Sequence, residues 1–370
     1  MENFWQQLQQ TQPHSIVGLA PMDGITDQPF RFMTQKYGQP DVIFIEFVNV
    51  EGLCHNAERL LEPLLYDVTQ RPIVAQIYGK TPDSFRQAAI LVCQLGFDGL
   101  DLNMGCPSKS VAGGGSGAAL IKTPELATAI IQAAQQGIQE WLSGATCADC
   151  SDFSAEFCEL VESRRATVGL PPTAELKTRQ EIPISIKTRT GFDHPSVDTW
   201  LPTILATQPA ALILHGRTFK QSFRGPADWV LIGQAAELVS QLSPETIFLG
   251  NGDVRNRFDG ETKARQYQLD GVLIGRAARG NPWVFAVDDV LVALTNQQRA
   301  QKMAQLALEH AQVFESTFSQ REKFSFLPMR KHLAWYMSGF PGAKQLRQQL
   351  VRTNSSQEVT QIFKQFDLLA

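Results

Sequence analysis

The sequence predicts an α/β fold, a (β/α)8 TIM barrel followed by a C-terminal all-helical domain. Eight short apolar runs recur between residues 15 and 276, helical patterns separate them, and the alternation stops near residue 290. The runs are SIVGLA (15–20), VIFIEFV (42–48), PIVAQIYG (72–79), GLDLN (99–103), PISIKT (183–188), ALILHG (211–216), IFLGNGD (247–253) and GVLIGR (271–276). They are continuous rather than alternating, as suits parallel strands buried on both faces. The clearest helical patterns cover 82–95, 124–140, 228–242 and 257–268. Thr81-Pro82-Asp83 and Thr123-Pro124-Glu125 read as N-caps with proline at the first helical position, where its missing N–H costs nothing. A doubly wound open sheet is the rival architecture. Polar clusters follow all the runs, which favours the barrel, because a barrel's active site collects residues from many strand ends.

Residues 1–294 are assigned to the barrel and 295–370 to the helical domain. The latter reads as four helices with breaks at Pro341-Gly342 and Thr353-Asn354-Ser355. Residues 296–370 hold ten Lys and Arg against five Asp and Glu, a net +5 that leaves −9 on residues 1–295 of a chain at −4. An acidic barrel with a basic appendage predicts a polyanionic partner for the appendage. Arg330, Lys331, Lys344, Arg347 and Arg352 are the candidate contacts. Lys331 and His332 can share a helix face with Trp335, whereas Trp335 and Tyr336 read as bundle core. No apolar run is long enough to span a membrane, and MENFWQQLQQTQPHS has neither the basic start nor the apolar segment of a signal peptide. It reads as a short polar cap on a soluble, cytoplasmic protein with free thiols.

Residues 143–181 lengthen the connection between the fourth and fifth strands beyond what one crossover helix needs and read as an insertion. They carry Cys147, Cys150 and Cys158. Three thiols with a CxxC raise a zinc or iron–sulfur site, but the stretch has no histidine and no fourth ligand. A surface loop with incidental thiols and no bound metal is expected.

The strand ends carry the chemistry. After the first run, Ala20-Pro21-Met22-Asp23-Gly24 makes an abrupt turn that could lay backbone N–H groups against a flat ligand. Gln76, on the third, can both donate and accept along a ring edge. The fourth leads into Asn103-Met104-Gly105-Cys106-Pro107, the fifth ends at Lys187 and the sixth at His215-Gly216-Arg217. Gly250-Asn251-Gly252-Asp253 and Gly275-Arg276 close the last two, where many barrels hold a phosphate on backbone amides. Arg276 can grip a phosphate with two N–H groups, and Lys187 can stabilise negative charge on a reduced ring. One such element per strand, in this order, describes a flavin mononucleotide (FMN) site. Cys106 is set apart from buried structural thiols such as Cys93 by the rigid Gly105–Pro107 turn. A thiol near its reference pKa of about 8.5 is mostly protonated at neutral pH and can serve as a general acid. A nucleophilic role would require a base to make thiolate.

APMDGITDQPFR, LNMGCPSKSVAGGGSGAAL, SIKTRTGF, LHGRTFKQSFRGPADW, GNGDV and GVLIGRAARGNPWVF resemble the tRNA-dihydrouridine synthases of bacterial type. RKHLAWYMSGFPGAKQLRQQL continues the resemblance into the helical domain; only 143–181 lacks a counterpart in the motif pattern. The resemblance implies an oxidoreductase that uses FMN and NADPH to reduce the uracil C5–C6 double bond in tRNA. It implies that Cys106 protonates C5 while the flavin delivers hydride to C6. Pro21, Met22, Asp23, Gln76, Lys187, Asn251, Gly252, Asp253, Gly275 and Arg276 then fall at the FMN. Asn103 falls at the target uracil, His215 near flavin or uracil, and Arg217 at phosphate or RNA. A stacked uracil must be flipped out to reach a flavin, at a cost of a few kcal/mol, and a basic domain gripping phosphates could supply it. Two rivals share parts of this pattern: an FMN barrel of the dihydroorotate dehydrogenase type, and a non-catalytic RNA-binding protein on a retained barrel.

Overall fold

The computed structural model describes residues 3–11, 14–288 and 290–369. Its strands are β1 (Ile16–Leu19), β2 (Ile43–Phe44), β3 (Val48–Asn49), β4 (Ile73–Tyr78), β5 (Gly99–Met104), β6 (Ile184–Arg189), β7 (Ala211–His215), β8 (Ile247–Asn251) and β9 (Gly271–Ile274). All pairings are parallel, in the order β2-β1-β9-β8-β7-β6-β5-β4-β3, and a further β2–β4 pairing closes the sheet. β2 and β3 are two halves of one barrel strand, so the closed sheet is an eight-stranded barrel and the open-sheet rival is excluded. The single run expected at 42–48 is broken over residues 45–47, and the break lets Phe47 reach the barrel mouth.

Strand residues sort by parity, as the two-residue repeat of a strand requires. Ile16, Val42, Phe44, Val74, Ile213, Ile247, Leu249 and Leu273 pack together in one cluster, with Trp5 and Leu8. Their chain neighbours Val17, Ile43, Ile73, Leu212, Phe248 and Val272 belong to the main core, with the helices that surround the barrel. The N-terminal segment is therefore more than a polar cap. Its helix Phe4–Thr11 plugs the barrel with a fully buried Trp5, and the Phe4 ring lies against Gly99 at the start of β5.

The expected crossover helices run over Pro82–Gln94, Pro124–Leu142, Trp229–Leu242 and Arg257–Gln266. Pro82 and Pro124 do occupy the first turn, yet neither Thr81 nor Thr123 makes a side-chain cap bond. Residues 143–181 depart from the loop expected. They fold into the helix Ala155–Thr167 flanked by two short 3-10 turns. Cys147, Cys150, Phe153, Phe157 and Val161 are buried in the main core beside Trp141. Gln94, at the end of a crossover helix, accepts from Cys147 N at 2.8 Å and from the Arg165 guanidinium, so the segment is stitched to the barrel wall. The thiols of Cys147 and Cys150 act as small apolar side chains. No cluster of metal-ligating side chains occurs among the described residues.

Beyond the barrel come the helices Asn296–Phe318, Leu327–Tyr336, Ala343–Leu350 and Ser356–Gln365. Thr295 caps the first by a reciprocal pair of bonds with Gln298. Their core, with Phe314, Leu333, Tyr336, Leu346 and Phe363, also takes in Met33 and Trp283 from the barrel side. No helix among the described residues is long and apolar enough to cross a membrane.

Candidate active site

A cavity of about 1120 Å³ opens at the C-terminal ends of the strands. It is lined by Pro21, Met22, Asp23, Gln76, Asn103, Cys106, Lys187, His215, Asn251, Gly252, Asp253, Gly275 and Arg276. Residues singled out in the sequence, from seven strand ends, thus converge on one space. The parity that buries Val74, Ile213 and Leu249 in the barrel points the residues two further on, Gln76, His215 and Asn251, at its mouth.

The turn after β5 is held from every side. Asn103 Oδ1 accepts from Gly105 N at 3.1 Å and from Cys106 N at 2.9 Å. Thr188 Oγ1 donates to Met104 O at 3.0 Å, and Arg189 Nε donates to Gly105 O at 2.6 Å. Gly117, at φ 60°, lies so near that a Cβ there would come 3.1 Å from Cys106 Cβ. With its backbone fixed, the thiol of Cys106 lines the cavity at only 7% exposure. Burial pushes its pKa up, while Arg189 and Lys187 act in the opposite sense. The thiol is the resting form, and two cations stand ready for the thiolate that proton donation would leave.

Beneath the turn runs a buried chain of polar groups. Asn103 Nδ2 donates to Gln76 Oε1 at 2.9 Å, and Gln76 Nε2 donates to Asp101 Oδ2 at 2.7 Å. Ser185 Oγ donates to Asp101 Oδ1 at 2.6 Å. Lys187 Nζ donates to Asn251 Oδ1 at 3.0 Å, and Asn251 Nδ2 in turn donates to Leu273 O at 2.8 Å. Burial drives the Lys187 ammonium down and the Asp101 carboxyl up. Burial, then Arg189, Lys187, Arg217 and Arg276, hold the His215 imidazole well below its usual range, so it is neutral.

One side of the cavity suits an anion. His215 Nδ1 and Arg217 Nη1 are buried without a hydrogen-bond partner. Between them lies Gly252 at φ 122°, where a Cβ would come 2.7 Å from Ala227 Cβ, 3.6 Å from His215 Nε2 and 3.7 Å from Arg217 Nη1. Unmet polar atoms beside a glycine fit a phosphate-bearing ligand. Lys187, Arg189, Arg255, Arg276 and Arg279 outnumber Asp23 and Asp253 on the wall, so an acidic barrel presents a cationic mouth.

Several expectations are corrected. Arg217 does not reach the wall; it is buried behind it, donating to Gly225 O and to the Asp253 carboxylate. Asp253 lines the cavity as expected of a residue at the ligand, and its carboxylate accepts from Arg217, Arg276 and Ala227 N, so it orients Arg276. Three of the five cations expected at RNA also bond within the protein. Arg330 donates to Thr353 O at 2.8 Å and to Asn354 Oδ1 at 2.7 Å, and Arg347 to Met337 O at 2.8 Å. Lys331 donates to Gly24 O, tying the helical region to the turn after β1. Lys344 and Arg352 are exposed. Trp335 is half-buried with the Arg279 guanidinium 5.0 Å above its ring, while Tyr336 is core.

Sequence reasoning missed Asp101, Arg189 and Phe223. The first two were legible, since each lies two residues from a recognised site residue on the same strand face. Arg189 also donates to Thr218 O and Ser222 O at 3.1 Å, bracing the loop after β7. Phe223 is half-exposed at the mouth with Arg276 5.1 Å from its ring centre, and no local pattern marks it.

A model of the dihydrouridine synthase family matches residues 18–164 and 171–369. That span includes most of 143–181, so the segment does have a family counterpart. The chain is 32% identical over 369 residues to the probable tRNA-dihydrouridine synthase 2 of Bacillus subtilis (strain 168), covering 99% of this chain and 97% of that one. It is 31% identical over 369 residues to the probable tRNA-dihydrouridine synthase of Staphylococcus aureus (strain COL), at 99% and 96% coverage. Among solved structures, a DHODH from Eimeria tenella overlaps with TM-score 0.44 and 13% identity, over 71% of this chain and 76% of that chain. That likeness is too slight to weigh on function.

Proposed function

The chain belongs to the dihydrouridine synthase family, and from that premise we propose that it reduces uridines of tRNA to 5,6-dihydrouridine in the cytoplasm, with FMN as cofactor and NADPH as reductant. The observation that carries the reading is a buried, protonated Cys106 facing a cationic cavity, on whose wall the unmet Nδ1 of His215 and the Arg276 guanidinium suit a phosphate. FMN, when bound, supplies the hydride that goes to uracil C6. Arg276 and the Gly252 and Gly275 backbone would hold its phosphate, with His215 at hand. Pro21, Met22, Gln76, Lys187 and Asn251 would face its ring.

The remaining work falls to the protein. Cys106 Sγ–H gives its proton to uracil C5 as hydride reaches C6, so the double bond gains one hydride and one proton. Lys187 and Arg189 stabilise the thiolate until it takes a proton from water. Asn103 keeps one N–H of its amide for a uracil carbonyl, its oxygen being held by the Cys106 turn. A cavity this size has room for a ring system and a flipped base together. Lys344 and Arg352, exposed on the helical region, would meet tRNA phosphates.

The test is Cys106→Ala. It should keep FMN binding and flavin reduction by NADPH, while dihydrouridine formation in tRNA falls by about a hundredfold or more, the usual worth of a positioned general acid. Unchanged dihydrouridine formation would refute the proton-donor role. Turnover of free dihydroorotate would move the protein to another flavin chemistry.

A further inference from the structure

We propose that Asp101, buried beneath the cavity floor, is a positioning residue that sets which way round the amides of Gln76 and Asn103 sit and thereby holds the Cys106 turn. The inference rests on the proton-donor reading of Cys106.

Donors and acceptors give the chain a direction. A carboxylate only accepts, whereas a side-chain amide has one accepting and one donating end. Asp101 Oδ2 accepts from Gln76 Nε2, so Gln76 turns its nitrogen toward Asp101, which leaves Gln76 Oε1 facing Asn103. Asn103 must then turn its own nitrogen toward Gln76. Only in that orientation does Asn103 Oδ1 face the N–H groups of Gly105 and Cys106. Reversing any single amide sets N–H against N–H or oxygen against oxygen. Asp101 and Ser185 are fully buried off the cavity wall, so water offers Asp101 no substitute partner. Ser185, on the far oxygen of Asp101, can donate or accept and imposes no direction.

The bonded orientation also limits what the floor offers a ligand. Every amide oxygen of the chain is consumed, and each amide nitrogen keeps one unused N–H. Gln76 and Asn103 both line the cavity, so an unused N–H offered there would favour a ring carbonyl.

Three variants of the full-length protein test this. Asp101→Leu removes the directing acceptor. Its kcat for dihydrouridine formation should fall by about a hundredfold while KM for tRNA stays within about twofold, because a displaced acid slows chemistry without touching the RNA-binding surface. In the cofactor-free protein, iodoacetamide should alkylate Cys106 faster than in wild type, read on the Cys106 peptide by mass spectrometry. Asp101→Asn should recover most of both, since Asn can keep its oxygen on Gln76 and give its nitrogen to Ser185. The double exchange Gln76→Glu with Asp101→Asn keeps every donor on an acceptor with the charge moved, and its Cys106 should alkylate at the wild-type rate. That pair decides the matter even if Asp101→Leu does not fold. Wild-type kcat and alkylation in Asp101→Leu, an Asp101→Asn as slow as Asp101→Leu, or fast alkylation in the double exchange would each overturn the proposal. A wild-type protein that forms no dihydrouridine would defeat the function proposed above and leave the alkylation comparison to judge the relay.

Discussion

Cys106 and Cys93 carry the same thiol and differ in what surrounds them. Cys93 is buried on the helix Pro82–Gln94 within the main core and serves as packing. Cys106 faces the cavity, with its backbone bonded on both sides and two cations close by. A second buried pair has no catalytic use and leaves its mark on stability. His310 and His332 sit where the helical region meets Phe30 of the barrel, their rings 4.9 Å apart. Neither ring nitrogen of His332 has a partner, and burial lowers both imidazoles, His310 to about 3. A group whose folded pKa lies below its unfolded value of about 6.5 contributes its full stability above that pH. The contribution is lost as pH falls toward the folded value, by up to about 1.4 kcal/mol per pH unit for each histidine. His332→Phe keeps the ring stack and removes the titration. We expect urea unfolding of this variant to match or exceed wild type at pH 7, and to lose less stability between pH 7 and pH 5. Equal losses in the two proteins would contradict the assignment.

At the scale of elements, the sequence reading located strands well and misjudged one long connection. The cue for 143–181 was length, and length alone does not separate a loop from a packed helix. What decides is whether apolar side chains find a surface, and the outer face of Pro82–Gln94 provides one for Phe157, Val161 and Cys147. Phe157→Ala should therefore cost about 3–5 kcal/mol of folding stability, as large-to-small changes in a core do. A loss under about 0.5 kcal/mol, measured by denaturant unfolding, would restore the loop reading. The caps err the other way: Thr81 and Thr123 have the right spacing and lack the bond, because N-cap preference is local and the hydroxyl's rotation is not.

At the scale of the whole molecule, the helical region is fastened to the barrel mouth rather than tethered beside it. Lys331 reaches Gly24 across 307 positions of sequence, Arg279 covers Trp335, and Gly280 packs on the Trp335 backbone. Charge counting marked five cations for RNA; Arg330, Lys331 and Arg347 also bond within the fold, whereas Lys344 and Arg352 are exposed. Charge reversal at Lys344 and Arg352 together should weaken tRNA binding and reduce the steepness of its salt dependence by about 0.7–0.9 for each phosphate that is no longer neutralised. Binding isotherms at several salt concentrations would show this, and an unaltered slope would exclude both residues from the RNA face.

The strands, the barrel and most strand-end residues of the cavity were legible in the sequence because side-chain direction along a strand is a local, two-residue property. Once the apolar runs set which residues face inward, the polar residue at each strand end had one place to go. Tertiary structure alone decided partners. That Asn103 spends its oxygen on the Cys106 turn, that Arg217 and Asp253 serve each other, and that Lys331 is a strut all depend on how the folded chain sets these groups against one another. A hydrogen bond is made with whatever the packed chain brings within about 3 Å, and no run of neighbouring residues contains that information.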